Sequence, residues 1–71
     1  MYTGYYIDGN DIFGPSGYTQ TYVDGGHIYG RKGYTQFYIN DKSIYGPQGY
    51  TQYYIDDGGH IYGTSKNLPW L

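Results

Sequence analysis

His27 and His60 are the two histidines of this chain, and a tight turn would set each opposite an acid, Asp24 and Asp56. Such a pair can be drawn as a base and its orienting group. The corresponding positions of the other repeats hold Asp8 with Asp11 and Asn40 with Ser43, so that chemistry is not repeated where the scaffold is. The pairs read as solvated contacts at turn ends, and the chain reads as non-enzymatic. Ser16, Ser43 and Ser65 sit in turns with no base near them in sequence. The glycine-rich loops have neither the helix nor the lysine of a phosphate cradle. Asp8, Asp11, Asp56 and Asp57 follow no calcium-loop spacing, and without cysteine the strong zinc spacings are missing too. Neither a metal nor a cofactor is expected.

The second kind of chemistry is stacking and hydrogen bonding, for which thirteen tyrosines supply the material. With side chains alternating along a strand, one face carries Tyr18, Gln20 and Tyr22, then Tyr34, Gln36 and Tyr38, then Tyr50, Gln52 and Tyr54, joined by Tyr29, Tyr45 and Tyr62. Rings interleaved with amides make platforms on which a sugar ring stacks while hydroxyls and amides bond its hydroxyl groups. These twelve residues are the expected ligand-binding set. The same rings could instead serve structure, as a ladder of cross-strand aromatic pairs contributing about 0.2–1 kcal/mol each.

Both uses require elements that repeat. Gly17-Tyr18-Thr19-Gln20 returns as Gly33-Tyr34-Thr35-Gln36 and Gly49-Tyr50-Thr51-Gln52, a period of sixteen, with Met1-Tyr2-Thr3-Gly4 as a degenerate first copy. Each copy leads into an aliphatic residue and an acid or amide, as in Tyr22-Val23-Asp24, and then into a short Ile28-Tyr29-Gly30 segment. Two-residue loops between them, Gly9-Asn10, Gly25-Gly26 and Asp41-Lys42, suit primed hairpin turns. Centring the turn there sets Val23 opposite Ile28 and Tyr22 opposite Tyr29. Likewise Ile7 faces Ile12 and Tyr6 faces Phe13, while Ile39 faces Ile44 and Tyr38 faces Tyr45. In the fourth unit Asp57 is an insertion absorbed by the loop, which keeps Ile55 opposite Ile61 and Tyr54 opposite Tyr62. Gly14-Pro15-Ser16-Gly17 and Gly46-Pro47-Gln48-Gly49 then join one unit to the next as type I turns.

The expected fold is all-β: an antiparallel meander of four tandem 16-residue β-hairpin repeats over residues 1–63, in units of about 1–16, 17–32, 33–48 and 49–63. A tail, 64–71, departs from the pattern, carries Trp70 and is expected to cap the array. Thr19, Thr21, Val23, Thr35, Phe37, Ile39, Thr51, Tyr53, Ile55 and the short-strand isoleucines form the expected buried face. A single layer of this size leaves one face wet, so the sheet must curl into a small barrel or be completed by a second copy. A parallel solenoid, one unit per coil, is the runner-up. The chain opens in the middle of a unit, which suggests a longer array or a first strand completed by the tail.

Composition limits the partners. Isoleucine, leucine, valine and phenylalanine make up under a fifth of the 71 residues, yet the net charge of -2 and the many tyrosines favour an ordered chain. Four basic and six acidic residues, never more than two of one sign together, form no stripe for a phosphate backbone or an anionic lipid surface. Nucleic acid and membrane insertion are therefore not expected. Tyr53-Tyr54-Ile55-Asp56-Asp57-Gly58-Gly59 and Tyr5-Tyr6-Ile7-Asp8-Gly9 resemble the aromatic pair, aliphatic, Asp and Gly segment of the choline- and glucan-binding cell-wall repeats of bacterial surface proteins. The resemblance implies tandem hairpins and binding of a glycan or cell-wall polymer between units, at the cell surface or outside the cell. The alternative is a structural, self-assembling element of a surface or phage fibre, in which the tyrosines join copies into a homo-oligomer.

Overall fold

Val, Ile, Thr and Tyr fill the segments between glycine-bearing turns, and residues that are β-branched or aromatic suit a pleated, half-buried surface. A computed structural model describes residues 1–71 and resolves eight strands: β1 (Tyr2–Asp8), β2 (Asp11–Gly14), β3 (Gly17–Asp24), β4 (His27–Gly30), β5 (Gly33–Asn40), β6 (Ser43–Gly46), β7 (Gly49–Ile55) and β8 (His60–Tyr62). Each pairs antiparallel with the next, and β8 pairs with β1 to close a barrel. The hairpin register is the one the sequence predicts: Val23 opposite Ile28, Ile39 opposite Ile44, Ile55 opposite Ile61. The antiparallel meander excludes the parallel solenoid. Closure within one chain also leaves no sheet edge for a second copy to cover. The partner of β1 is β8, not the tail.

The hairpin turns are primed, with positive φ at both central residues of Gly25-Gly26 and of Asp41-Lys42, which matches the right-handed twist of the flanking strands. On the far side of each short strand the ladder is interrupted. Ile12 faces Thr21 and Phe13 faces Tyr18, so one step along β2 spans three along β3, and Thr19 and Gln20 are extra. The same bulge recurs at Thr35-Gln36 and Thr51-Gln52, and at the seam in β1 around Thr3-Gly4. Gln20, Gln36 and Gln52 take φ of 67°, 73° and 70°, and Gly4 takes 89°. A threonine holds each bulge. The hydroxyls of Thr3, Thr19, Thr35 and Thr51 donate to the carbonyls of Ile61, Ile12, Ile28 and Ile44 at 2.6–2.7 Å. Each also accepts the backbone N–H two residues on, at 3.1–3.2 Å.

At the opposite rim neighbouring hairpins are laced together. The N–H groups of Ile7, Val23, Ile39 and Ile55 donate to the carbonyls of Gly59, Asn10, Gly26 and Lys42 in the preceding turns, at 2.6–2.8 Å. The seam is sealed in the same manner as the interior joints. Met1 and Gly63 exchange two hydrogen bonds, at 2.8 and 2.9 Å, where other units pair Gly14 with Gly17 or Gly30 with Gly33.

Inside, one isoleucine per unit, Ile12, Ile28, Ile44 and Ile61, is fully buried, worth about 1.5–3 kcal/mol each. Ile7, Val23, Ile39 and Ile55 pack beside them toward the hairpin rim. Toward the other rim lie Tyr5, Phe37 and Tyr53, whose rings cover Gly14, Gly46 and Gly63. In the second unit the matching residue is the small Thr21. Trp70 packs on the core, leans on Phe37 at 49° with ring centroids 5.6 Å apart and shares a cavity with Thr21, so the tail supplies the ring that this unit lacks. The tail is anchored there by buried Leu68 and by the Tyr53 hydroxyl, which donates to the Asn67 carbonyl at 2.6 Å.

Two stability predictions follow from these contacts. A Cβ at Gly46 would fall 2.5 Å from the Phe37 ring, whereas at Gly30 it would meet only methyl groups at 3.6 Å. Gly46→Ala should therefore cost about 1–3 kcal/mol in urea unfolding, and Gly30→Ala should be near neutral. Thr35→Ala removes both bulge bonds and should cost about 1–3 kcal/mol, with Thr35→Ser restoring most of it in the same assay.

Candidate functional site

With isoleucines and threonines pointing in, strand alternation sends the other tyrosines out, and cross-strand register sets them ring against ring. They form four stacks of three. Each begins on a long strand, crosses its hairpin and ends on the next long strand: Tyr6, Phe13, Tyr18; Tyr22, Tyr29, Tyr34; Tyr38, Tyr45, Tyr50; and Tyr54, Tyr62, Tyr2. The first two rings of each stack are near parallel, 10–16° apart with centroids 5.5–5.7 Å apart. The third leans on the second at 48–49° and 5.4–5.5 Å. Middle rings are half-buried and the flanking tyrosines exposed.

Nine of these twelve ring positions are tyrosines that the alternation assigns to the outer face. The remaining three, Tyr2, Tyr6 and Phe13, complete the first and fourth stacks and are absent from that set. Tyr6 and Phe13 follow from hairpin register alone, as a first copy of Tyr22 and Tyr29. Tyr2 joins Tyr62 only because β1 closes on β8. The glutamines keep the exposed side that the alternation gives them but not an extended backbone. Gln20, Gln36 and Gln52 occupy the left-handed bulge position, and the Gln20 amide oxygen accepts from Arg31 Nε in the next inter-unit turn. The two inserted residues at each bulge leave the amides outside the ladder that pairs the rings.

Successive stacks meet at four equivalent junctions, each with one residue from a short strand at its floor: Asp11, His27, Ser43 and His60. His27 lies edge-on to Tyr34 at 5.4 Å and 6.3 Å from Tyr38. His60 is placed in the same way, 5.5 Å from Tyr2 and 6.5 Å from Tyr6. Asp11 sits across from Tyr22, and Ser43 across from Tyr54. The Tyr18 hydroxyl is held above its ordinary pKa by partial desolvation and then by the Asp11 carboxylate.

The two histidine–acid pairs of the sequence differ in space. Asp24 and His27 are opposite in register, while Asp56 and His60 are bonded, Oδ1 to Nδ1 at 3.2 Å. The same Asp56 oxygen accepts the backbone N–H groups of Gly58 and His60 at 2.9 Å, clamping the longer fourth loop. The His60 amide is the largest of the causes that hold the Asp56 carboxyl below the usual carboxylate range. Burial and then Asp56 raise the Tyr62 hydroxyl. The carboxylate is thus engaged in shaping the loop. No three histidine or acidic side chains gather as a metal cluster. Three hollows of about 450, 370 and 290 Å³ lie at the other rim, between the inter-unit turns and Pro69, Trp70 and Leu71 of the tail.

A carboxyl with a depressed folded pKa stabilises above its unfolded value and loses that contribution as pH falls through the folded value. Wild-type melting temperature should therefore decline as pH drops below about 4, and Asp56→Asn should be less stable at neutral pH but show a flatter acid limb. Parallel acid limbs in the two proteins would refute the clamp. No protein-family model, curated protein or solved structure matches this chain, so the role of the rings rests on their own geometry.

Proposed function

We propose that this chain is a non-enzymatic module that binds carbohydrate, a glycan or cell-surface polymer, through its outer tyrosines. The observation that carries the reading is that the eight flanking tyrosines stay between 37% and 50% exposed around a barrel whose core is filled without them. Large apolar surface left in water around a complete core is a binding surface in waiting. Ring faces offer stacking to the C–H faces of a sugar, and the phenol hydroxyls beside them donate to and accept from its hydroxyl groups. Weak equivalent sites on one rigid body gain avidity on a polymer. The likeness to cell-wall-binding hairpin repeats favours the same ligand class and an extracellular or surface setting.

The same rings could join copies of the chain into a structural assembly. Barrel closure removes the free strand edge that such assembly would otherwise use, so copies would have to pack ring face to ring face. A glycan array with light scattering on the same sample separates the two readings. Retention of glycans by a monomer supports carbohydrate binding, whereas no retention together with concentration-dependent growth in mass would replace it with assembly. Tyr22→Ser, Tyr38→Ser and Tyr54→Ser together should weaken glycan retention by about tenfold or more. Each lost ring pair should also lower stability by about 0.2–1 kcal/mol, read by urea unfolding of the same protein.

A further inference from the structure

The four junctions between ring stacks share one backbone geometry but not one floor. Units two and four present an imidazole, and units one and three a carboxylate and a hydroxyl. We infer that His27 and His60 plug two of the junctions, and that the other two, Tyr18–Asp11–Tyr22 and Tyr50–Ser43–Tyr54, are open clefts that take a β-linked glucose unit, making the protein bivalent. This rests on the carbohydrate reading above.

The histidines show what the slot accepts. Each imidazole lies between the last ring of one stack and the first ring of the next, against both. A flat ring is thus already seated in two of the four places. At the other two the floor residue is short and carries no ring. Tyr22 stacks near parallel on Tyr29, and Tyr54 on Tyr62, which turns their second faces toward Asp11 and Ser43. Around the Ser43 floor Tyr50 and Tyr54 are 50% and 45% exposed, against 41% and 38% for Tyr2 and Tyr6 around His60, while the tyrosines around Asp11 and His27 are nearly equal.

The open clefts match a particular sugar chemistry. In β-linked glucose every ring hydroxyl is equatorial, so both ring faces present C–H groups to the flanking tyrosines and the hydroxyls point to the rim and floor. Asp11 offers two acceptor oxygens to neighbouring hydroxyls, and Ser43 offers a donor and an acceptor. The carboxylate floor makes the Asp11 cleft the tighter of the two. Their placement has a consequence for function. Asp11 is on β2 and Ser43 on β6, half the circumference apart in a closed ring of eight strands, on a body 24 × 23 × 20 Å in extent. The clefts face opposite ways, so one molecule engages two separate glucan chains.

The test exchanges the floors. Carbon-13 aromatic correlation spectra would be recorded during titration with cellohexaose and with laminarihexaose on wild type, on Asp11→His with Ser43→His, and on His27→Ser with His60→Ser. The spectra report folding in each case. In wild type the shifts should be confined to the Tyr18, Tyr22, Tyr50 and Tyr54 group. Removing the histidines should add the Tyr34, Tyr38, Tyr2 and Tyr6 group, and adding histidines should weaken binding by about tenfold or more. Equal shifts at all four junctions in wild type, or no response to the exchanges, would overturn the plug while leaving carbohydrate binding in place. No shift with either sugar in any of the three proteins would overturn both.

Discussion

A sheet of eight short strands closes on itself only if it bends hard once per repeat, and a single threonine hydroxyl makes that bend in each unit. By donating to an isoleucine carbonyl and accepting the N–H two residues on, it satisfies backbone groups that the bulge takes out of the ladder. Buried polar groups left unpaired would cost more than so small a core could offset. The bulge turns the long strand round the barrel, and the residue after the threonine takes up the left-handed conformation that the turn requires. The glutamines there accept it although they are not glycine; the strain is borne because hydrogen bonds on both sides determine the backbone.

The bend separates two tasks that usually compete in a small protein. Four fully buried isoleucines, their aliphatic neighbours and three inward aromatic rings form the interior, completed by Leu68 and Trp70 from the tail. Hydrogen bonds between adjacent turns lace one rim, and the Met1–Gly63 pair seals the seam. Such a chain holds together with no disulfide. The outer face is then left to the ring stacks, where neighbouring strands bring the aromatics within stacking distance. Because the scaffold repeats and the junction floors do not, one geometry is offered with several chemistries around its circumference.

Much of this was legible along the chain. Val23 with Ile28, Tyr22 with Tyr29, and the Asp57 insertion absorbed by its loop are near-neighbour relations set by a two-residue turn and the period of two. The same period keeps Gln20, Gln36 and Gln52 exposed between inward neighbours, because two inserted residues preserve its parity; what nothing in the composition announces is the bulge itself and the left-handed backbone at each glutamine. Asp56 and His60 read along the chain as a solvated pair at a turn end, and the bonds of Asp56 to two backbone amides appear only once the longer loop has folded around it.

The sequence by itself determined the hairpins, their register and the two faces, since each depends on residues a few positions apart whose side chains must alternate. Tertiary structure alone decided that Tyr2 completes the fourth stack, that Trp70 takes the place beside Phe37 that Thr21 leaves, and which floors meet which rings. Those contacts join residues from opposite ends of the chain or from different units. They depend on the summed bend of all eight strands, a quantity that no local window contains and that exists only when the ring closes.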